Sequence, residues 1–395
     1  MQTDLIKEYG SHSPMYIFDK DILRDRAEKI RKLMPDNGEI CYAVKANPFL
    51  VGSLKGMVRK YEVCSPGELD ICMAGCIQGE DIVFSGVNKE EGDMERALRC
   101  GVRIFTVESE KQMADVCRCA ERNKESVCVL LRLTSGTQFG VDETVLERML
   151  DNGNGCRYVE ITGIQYFSGT QKKARKIEEE LQYLIAYYKK LKEKYSCCLT
   201  IEYGPGLPVP YFEGENFETE LETGMGVLTD VMTSAGRDIQ WVIEMGRFLA
   251  ASCGYYVTKV VDIKENHQKH YCIVDGGINH VNYYGQNMAM RVPLIDHIHM
   301  DGEGEPGEKE WTICGSLCTT SDVLVRKTVK KGLKIGDLLV FKNIGAYSVT
   351  EGIYLFLSRK MPEIYLYSAG EGMKLVREAL ETSGFNRISC PGNSK

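Results

Sequence analysis

Residues 39–46 read EICYAVKA, an apolar run of strand character that closes on a single lysine, Lys45. At the carboxyl end of a buried strand, apolar neighbours disfavour the ammonium form and leave the amine able to condense with an aldehyde. Taken alone, Lys45 reads more simply as a lysine whose stem covers apolar surface while its head reaches water. Its company decides between the two. Seven further strand-like runs follow: KYEVCS (60–65), DIVFSG (81–86), VRIFTV (102–107), VCVLLRL (127–133), VEITGIQY (159–166), CLTIEY (198–203) and QWVIEMG (240–246). Helical stretches lie between them, the clearest over 171–195, where apolar residues recur at helical spacing. Eight such units predict a closed parallel (β/α)8 barrel with its chemistry at the carboxyl ends of the strands. An open doubly wound sheet is the alternative that periodicity leaves standing.

After about residue 250 the pattern changes. YYVTKVVDIKE (255–265), HYCIVDGG (270–277), DLLVFKNIGAYS (337–348) and GIYLFLSR (352–359) alternate as antiparallel strands between Gly-rich turns. The expected organisation is a barrel over 20–249 and a C-terminal antiparallel β domain over 250–395. The N-terminal segment 1–19, with the strand MYIFD (15–19), is expected to join the second domain. The stretch DGEGEPGEKE (301–310) reads as a solvated loop.

The chain has 395 residues, 43% of them hydrophobic and 27% charged, with a formal charge of −7. That balance argues against nucleic acid or an anionic membrane as the main partner. No run approaches the roughly 18 consecutive apolar residues of a membrane helix. The N-terminus lacks a basic-then-apolar leader, so a cytoplasmic location is expected. Sixteen cysteines are spread mostly through apolar runs, where Cys behaves as a small buried hydrophobe. The pair Cys117 and Cys119 and the adjacent Cys197 and Cys198 lack partners at zinc-site spacing, so free thiols and no metal are expected.

Several segments carry chemistry. VCSPGELDICMAGC (63–76) places Glu68 three residues after Ser65, the spacing of a helix capping box. EYGPGLP (202–208) offers Gly204 and Gly206 at the end of a strand, where backbone N–H groups can approach a phosphate closely. EMGR (244–247) ends the eighth strand with Glu244 and Arg247. QYFSGTQ (165–171), CGSLCTTSDVL (314–324) and GAYSVTEG (345–352) complete the set.

Together and in this order, these segments resemble the fold-type III pyridoxal-phosphate decarboxylases, the group of ornithine and diaminopimelate decarboxylases, over residues 16–356. The resemblance implies an alanine-racemase-like barrel followed by a β domain, assembled as a homodimer with active sites at the interface. It implies that Lys45 carries pyridoxal 5'-phosphate, with Glu68 nearby and Glu244 paired with the pyridine nitrogen. Thr170, Gly204, Gly206, Arg247 and Tyr347 take the places of phosphate-holding residues. Phe167 stands where ornithine-type enzymes stack a histidine on the cofactor ring. Cys318 matches the cysteine that a partner subunit presents to assist protonation once carbon dioxide has left, and Asp322 matches the aspartate of the same signature. Pro205 and Met245 depart from the family's usual glycine and proline.

Substrate clues point two ways. Ornithine and diaminopimelate decarboxylases carry an acidic residue after the signature cysteine, but here it is Thr319. Arg291, in MAMRVPLIDH (288–297), falls where diaminopimelate decarboxylases meet a distal carboxylate. FSGTQ, EMGRFLAASCGYYVTKVVDIKE and VDGGINH resemble a branch acting on carrier-protein-tethered amino acids. The expected activity is α-decarboxylation of an amino acid or amino-acid conjugate, with a carrier-protein-tethered glutamate as one form. The alternatives are decarboxylation of free diaminopimelate, ornithine, lysine or arginine, a racemase or epimerase, and a non-catalytic regulator on the same fold.

Overall fold

A computed structural model describes residues 3–152, 155–195, 200–281, 283, 289–302, 304 and 306–388, without the side chains of 217–222. Two units emerge. One comprises Arg24–Val209 and Asn216–Leu249; the other comprises Met1–Leu23, Pro210–Glu215 and Ala250–Lys395. The first strand in the chain, β1 (Met15–Asp19), belongs to the second of these units.

The larger unit is a closed eight-stranded parallel barrel. Its strands are β2 (Gly38–Ala43), β3 (Lys60–Val63), β4 (Ile82–Phe84), β5 (Ile104–Val107), β6 (Val127–Leu133), β7 (Val159–Phe167), β8 (Thr200–Gly204) and β9 (Gln240–Met245). They pair in sequence order, and β9 closes the ring on β2 with Glu244 opposite Cys41. Cys41, Val83, Leu130 and Val242 pack together within the barrel unit. Strands buried on both faces read as apolar runs rather than strict alternation, as in VCVLLRL. The expected helix over 171–195 forms as Ala174–Tyr195, and the first two residues of CLTIEY lie outside the described residues.

The first barrel strand ends earlier than its apolar run suggests. β2 stops at Ala43, and Val44–Ala46 turn as a short 3-10 segment that holds Lys45. The cause lies just downstream. Pro48 cannot donate to a ladder, and the Asn47 side chain accepts the Phe49 N–H, which starts a new turn. Lys45 therefore leaves the sheet at its carboxyl edge.

The second unit is a nine-stranded sheet. To β1 it adds β10 (Gly254–Asn266), β11 (Lys269–Val274), β12 (Ile295–Ile298), β13 (Glu308–Cys314), β14 (Val323–Lys331), β15 (Leu338–Lys342), β16 (Glu363–Ser368) and β17 (Gly372–Arg377). Met15, Ile17, Val257, Leu338, Val340 and Tyr365 form its core. The sheet is mixed rather than purely antiparallel. β1 runs parallel to β16, and β11 runs parallel to β13, because each pair is joined by a long crossover rather than a hairpin.

A second correction concerns 352–359, which forms no strand. Ile353, Leu355, Phe356 and Leu357 are all exposed, and Leu357 has a left-handed backbone (φ 58°) that a β ladder does not accommodate. The loop expected over 301–310 gives its last residues, Glu308 to Glu310, to β13, and residues 303 and 305 lie outside the described set. Among the described residues, no helix is long and apolar enough to cross a membrane.

Candidate active site

The carboxyl ends of the barrel strands converge on Lys45. Its ammonium lies 2.9 Å from Glu62 Oε2, on β3, and 3.2 Å from Glu244 Oε1, on β9. Cys64 Sγ is 3.9 Å away. Gln165 on β7 donates from Nε2 to Glu244 Oε2 at 3.3 Å. A third carboxyl, that of Glu202 on β8, is also buried, and its Oε1 has no hydrogen-bond partner.

Three buried carboxyls beside one ammonium cannot all stay ionised. Burial and the Glu244 and Glu62 charges push the Glu202 carboxyl far above the usual range, so it is held as the neutral acid. Burial and the Glu62 carboxylate also raise Glu244. Burial alone would raise Glu62, but the adjacent Lys45 ammonium outweighs it and keeps that carboxyl ionised.

The Lys45 ammonium lies 6.0 Å from the centroid of the Phe167 ring. Phe167 ends β7 and pairs across the ladder with Gly204 on β8. A Cβ on Gly204 would stand 2.5 Å from Phe167 Cδ2, so only glycine lets the ring occupy its place. Gly206 has φ +57°, and a Cβ there would meet the Gly169 carbonyl at 2.1 Å. The turn is fixed by Lys172, whose N–H donates to the Gly206 carbonyl at 2.9 Å. The buried Lys172 ammonium donates to Glu180 at 2.7 Å, Ser168 at 3.0 Å and the Gly204 carbonyl at 3.2 Å.

In front of these groups lies a cavity of about 790 Å³, lined by Lys45, Glu62, Cys64, Arg132, Phe139 and Phe167 among others. Arg132 is paired with Glu108 at 2.9 Å, and its guanidinium lies 4.7 Å from the Phe139 ring centroid. The volume suits a small ligand. A primary amine, a buried carboxylate, an aromatic face and a turn that excludes any Cβ are the features an aldehyde-bearing, phosphorylated pyridine requires. The barrel residues thus fit pyridoxal phosphate. Lys45 would hold its aldehyde carbon, Glu244 its ring nitrogen, Phe167 one ring face, and Thr170, Gly204, Gly206 and Arg247 its phosphate.

Glu68 has a different immediate partner from Lys45. Its N–H donates to Ser65 Oγ at 3.1 Å, and its carboxylate accepts the Cys64 N–H at 2.7 Å, capping the helix Pro66–Ala74. The second carboxylate on Lys45 is Glu62, which sequence reasoning passes over. Glu62, Gln165, Glu202 and Arg132 all sit inside apolar runs. Their inward direction emerges only when the barrel closes, and a polar residue in an otherwise buried strand is the one signal that could have marked them.

The remaining expected residues lie in the other unit and are described there. Among the described cysteines, Cys76 and Cys318 alone are exposed; Cys197 and Cys198 lie outside the described residues. Cys318 sits on a turn held by the buried carboxylate of Asp322, which accepts the Leu317 N–H at 2.6 Å and the Ile278 N–H at 2.8 Å. Gly277 and Gly315 crowd that carboxylate so closely that a Cβ on either would fall within 2.7 Å of it. Thr319 belongs to the same turn, its carbonyl accepting the Asp322 N–H at 3.1 Å. Tyr347 has a left-handed backbone (φ 68°), and its carbonyl accepts the N–H groups of Thr350 and Glu351 at 2.8 Å each. Arg291 is ion-paired with Glu215, and its guanidinium lies 4.0 Å from the Phe212 ring centroid.

Comparison with known proteins agrees with this chemistry. The family model described as "Pyridoxal-dependent decarboxylase, pyridoxal binding domain" matches residues 20–251. The chain is 27% identical over 390 residues to the L-glutamyl-[BtrI acyl-carrier protein] decarboxylase of Niallia circulans, covering 91% of this chain and 89% of that protein. It is also 27% identical over 387 residues to the 2-[(L-alanin-3-ylcarbamoyl)methyl]-2-hydroxybutanedioate decarboxylase of Staphylococcus aureus, covering 90% and 94%. Diaminopimelate decarboxylase from M. jannaschii, solved with L-lysine, superposes with a TM-score of 0.85 at 22% identity, covering 98% of this chain and 94% of that one. That likeness speaks for the fold. With a family match across the whole barrel and a lysine set between carboxylates at its mouth, the chain belongs to the pyridoxal-dependent decarboxylases.

Proposed function

We propose that this enzyme removes the α-carboxylate of an amino acid whose distal end is conjugated or carries no free amine, with a carrier-protein-tethered glutamate as the leading candidate. The observation that carries the proposal is the Cys318 turn, which has no carboxylate to spare for a distal ammonium. Thr319 follows the cysteine, and Asp322 is committed to two backbone N–H groups. A second observation bears on diaminopimelate. Arg291, the candidate for a distal carboxylate, is already paired with Glu215. The names of two relatives point the same way, since one acts on a glutamyl group on a carrier protein and the other on an amide-linked alanine derivative.

Pyridoxal phosphate, when bound, supplies the electron sink for a bond broken at the α-carbon. The protein does the rest. Lys45 would hold the cofactor, and Glu244 would keep a proton on its ring nitrogen. Phe167 would back the ring, and Cys318 of a second copy would donate a proton to the α-carbon. Arg132 lines the cavity wall with its charge already balanced by Glu108. We propose the homodimer on the exposed run Ile353, Leu355, Phe356 and Leu357, an apolar cluster of the kind that marks an interaction surface. Release of carbon dioxide should be measured across free ornithine, lysine, arginine, diaminopimelate and glutamate, and across glutamate loaded on a carrier protein. Fast release from the free diamino acids with none from the conjugates would overturn the substrate assignment.

A further inference from the structure

The β unit holds a second cluster of chemistry-bearing side chains. His297 is on β12, His299 follows one residue after its end, and Asp337 immediately precedes β15. The two strands pair antiparallel with His297 opposite Leu339 and Ile298 opposite Leu338, and continuing that register sets His299 beside Asp337. Residues two apart on a strand face the same side, so both imidazoles point to one carboxylate. His297 Nε2 lies 2.7 Å and His299 Nδ1 3.0 Å from the same oxygen, Asp337 Oδ2. The rings are 4.3 Å apart between centroids.

The carboxylate is used unevenly. Oδ2 also accepts the Lys334 N–H at 3.1 Å, so three donors crowd one oxygen. The other oxygen, Oδ1, is buried without a hydrogen-bond partner, in a residue with no exposed surface. A buried carboxylate oxygen left unpaired is costly, and a hydrogen-bonded triad offers no reason for it. A cation that takes both oxygens of the carboxylate, beside the two imidazoles, would supply one.

We propose that His297, His299 and Asp337 form a binding site for a divalent transition metal, with Zn2+ as the fitting ion. Two imidazoles and one carboxylate select a borderline metal over Mg2+ or Ca2+, which prefer oxygen ligands throughout. One ligand atom from each residue lies within 4.8 Å of the other two. Bonds of about 2.0–2.2 Å from a tetrahedral ion set neighbouring ligand atoms roughly 3.4 Å apart, so the two gaps from histidine nitrogen to carboxylate oxygen need open by only about half an ångström. The carboxylate is preorganised for this. The Asp337 N–H donates to the Lys334 carbonyl at 3.2 Å, and its own carbonyl accepts the Val260 N–H at 2.9 Å. His299, with its side chain 25% exposed, is the side through which an ion and a fourth water ligand enter. Three protein ligands with one open position would cross-link the end of β12 to the start of β15.

The test uses the complete holoenzyme, stripped with a chelator and titrated with Zn2+ alone. Exposed thiols also bind zinc, so two variants are compared: His297→Gln/His299→Gln and Cys76→Ser/Cys318→Ser. The expected result is that the histidine variant loses one equivalent of zinc per chain and the zinc-induced rise in Tm, whereas the cysteine variant keeps both. Equal zinc stoichiometry in wild type and histidine variant overturns the site, as does a wild type that takes up no zinc. The single variant His299→Gln, altered only at the more exposed ligand, serves if the double variant folds poorly. X-ray absorption at the zinc edge of the cysteine variant then decides the ligands. Two imidazoles and oxygen support the site, and a shell without imidazole refutes it.

Discussion

Gly204→Ala is the sharpest probe of how the barrel builds its aromatic wall. The new methyl would stand 2.5 Å from Phe167 Cδ2 and 3.4 Å from Cγ and Cε2. Carbon atoms pack at about 3.5–4.0 Å, so the ring must retreat by roughly 1–1.5 Å or β8 must shift. Because Phe167 and Gly204 are a cross-strand pair, the strain falls on the ring rather than spreading along the barrel. If that ring backs the cofactor, displacing it removes a stacking contact of about 0.5–1.5 kcal/mol, a loss of roughly 2- to 12-fold in affinity. The assay is spectroscopic titration of the apoenzyme with pyridoxal phosphate. A double-mutant cycle isolates the cause. In Phe167→Ala the obstructing ring is gone, so adding Gly204→Ala should change Kd by less than about 2-fold. An identical penalty in both backgrounds, or none in either, would refute the account.

Other expectations follow from the same geometry. If active sites are shared between two copies, mixing Lys45→Ala and Cys318→Ala chains, each unable to complete amine formation, should under exchange restore up to about a quarter of wild-type amine formation, since random pairing leaves one intact site in half the dimers. No recovery despite demonstrated exchange would count against shared sites. The Glu244 carboxyl is raised to about 7 by burial and Glu62, so between the ordinary carboxylate range and that value the folded apoenzyme holds a proton that the unfolded chain has released. Its contribution to stability therefore grows as pH falls through about 7. The apoenzyme's Tm should rise on acidification from pH 8 towards 5.5 more in wild type than in Glu244→Gln; parallel profiles would contradict this. Asp322→Ala strands the Leu317 and Ile278 N–H groups, at about 1–3 kcal/mol each. It should lower Tm and kcat while leaving bound cofactor unchanged; an unaltered kcat would remove Asp322 from any positioning role.

Much of the barrel is legible in the sequence because parallel strands buried on both faces leave apolar runs, and eight of them alternate with helices. Lys45 is legible for the same reason, as a charge closing such a run. Glu62 and Glu202 are not. Each sits in a strand whose neighbours are apolar on both sides, so nothing local says whether it faces the barrel interior or the helices. The run 352–359 misleads in the opposite direction. Apolar content suggests a strand, but the leucines lie at the surface and the backbone turns left-handed at Leu357. The grouping of His297 and His299 with Asp337 is invisible in the sequence, since it depends on the pairing of two strands forty residues apart.

The turn around Cys318 has a consequence for how this enzyme can be altered. Its shape is dictated from beneath by Asp322 and by two glycines that admit no side chain, while Cys318 projects from it and is exposed. Residue 318 is thus a passenger of a frame it does not help to hold. Its chemical identity can be exchanged for serine, alanine or another small group without disturbing the fold. Drift at that one position can redirect where a proton is delivered, and so which product leaves, while the scaffold stays unchanged.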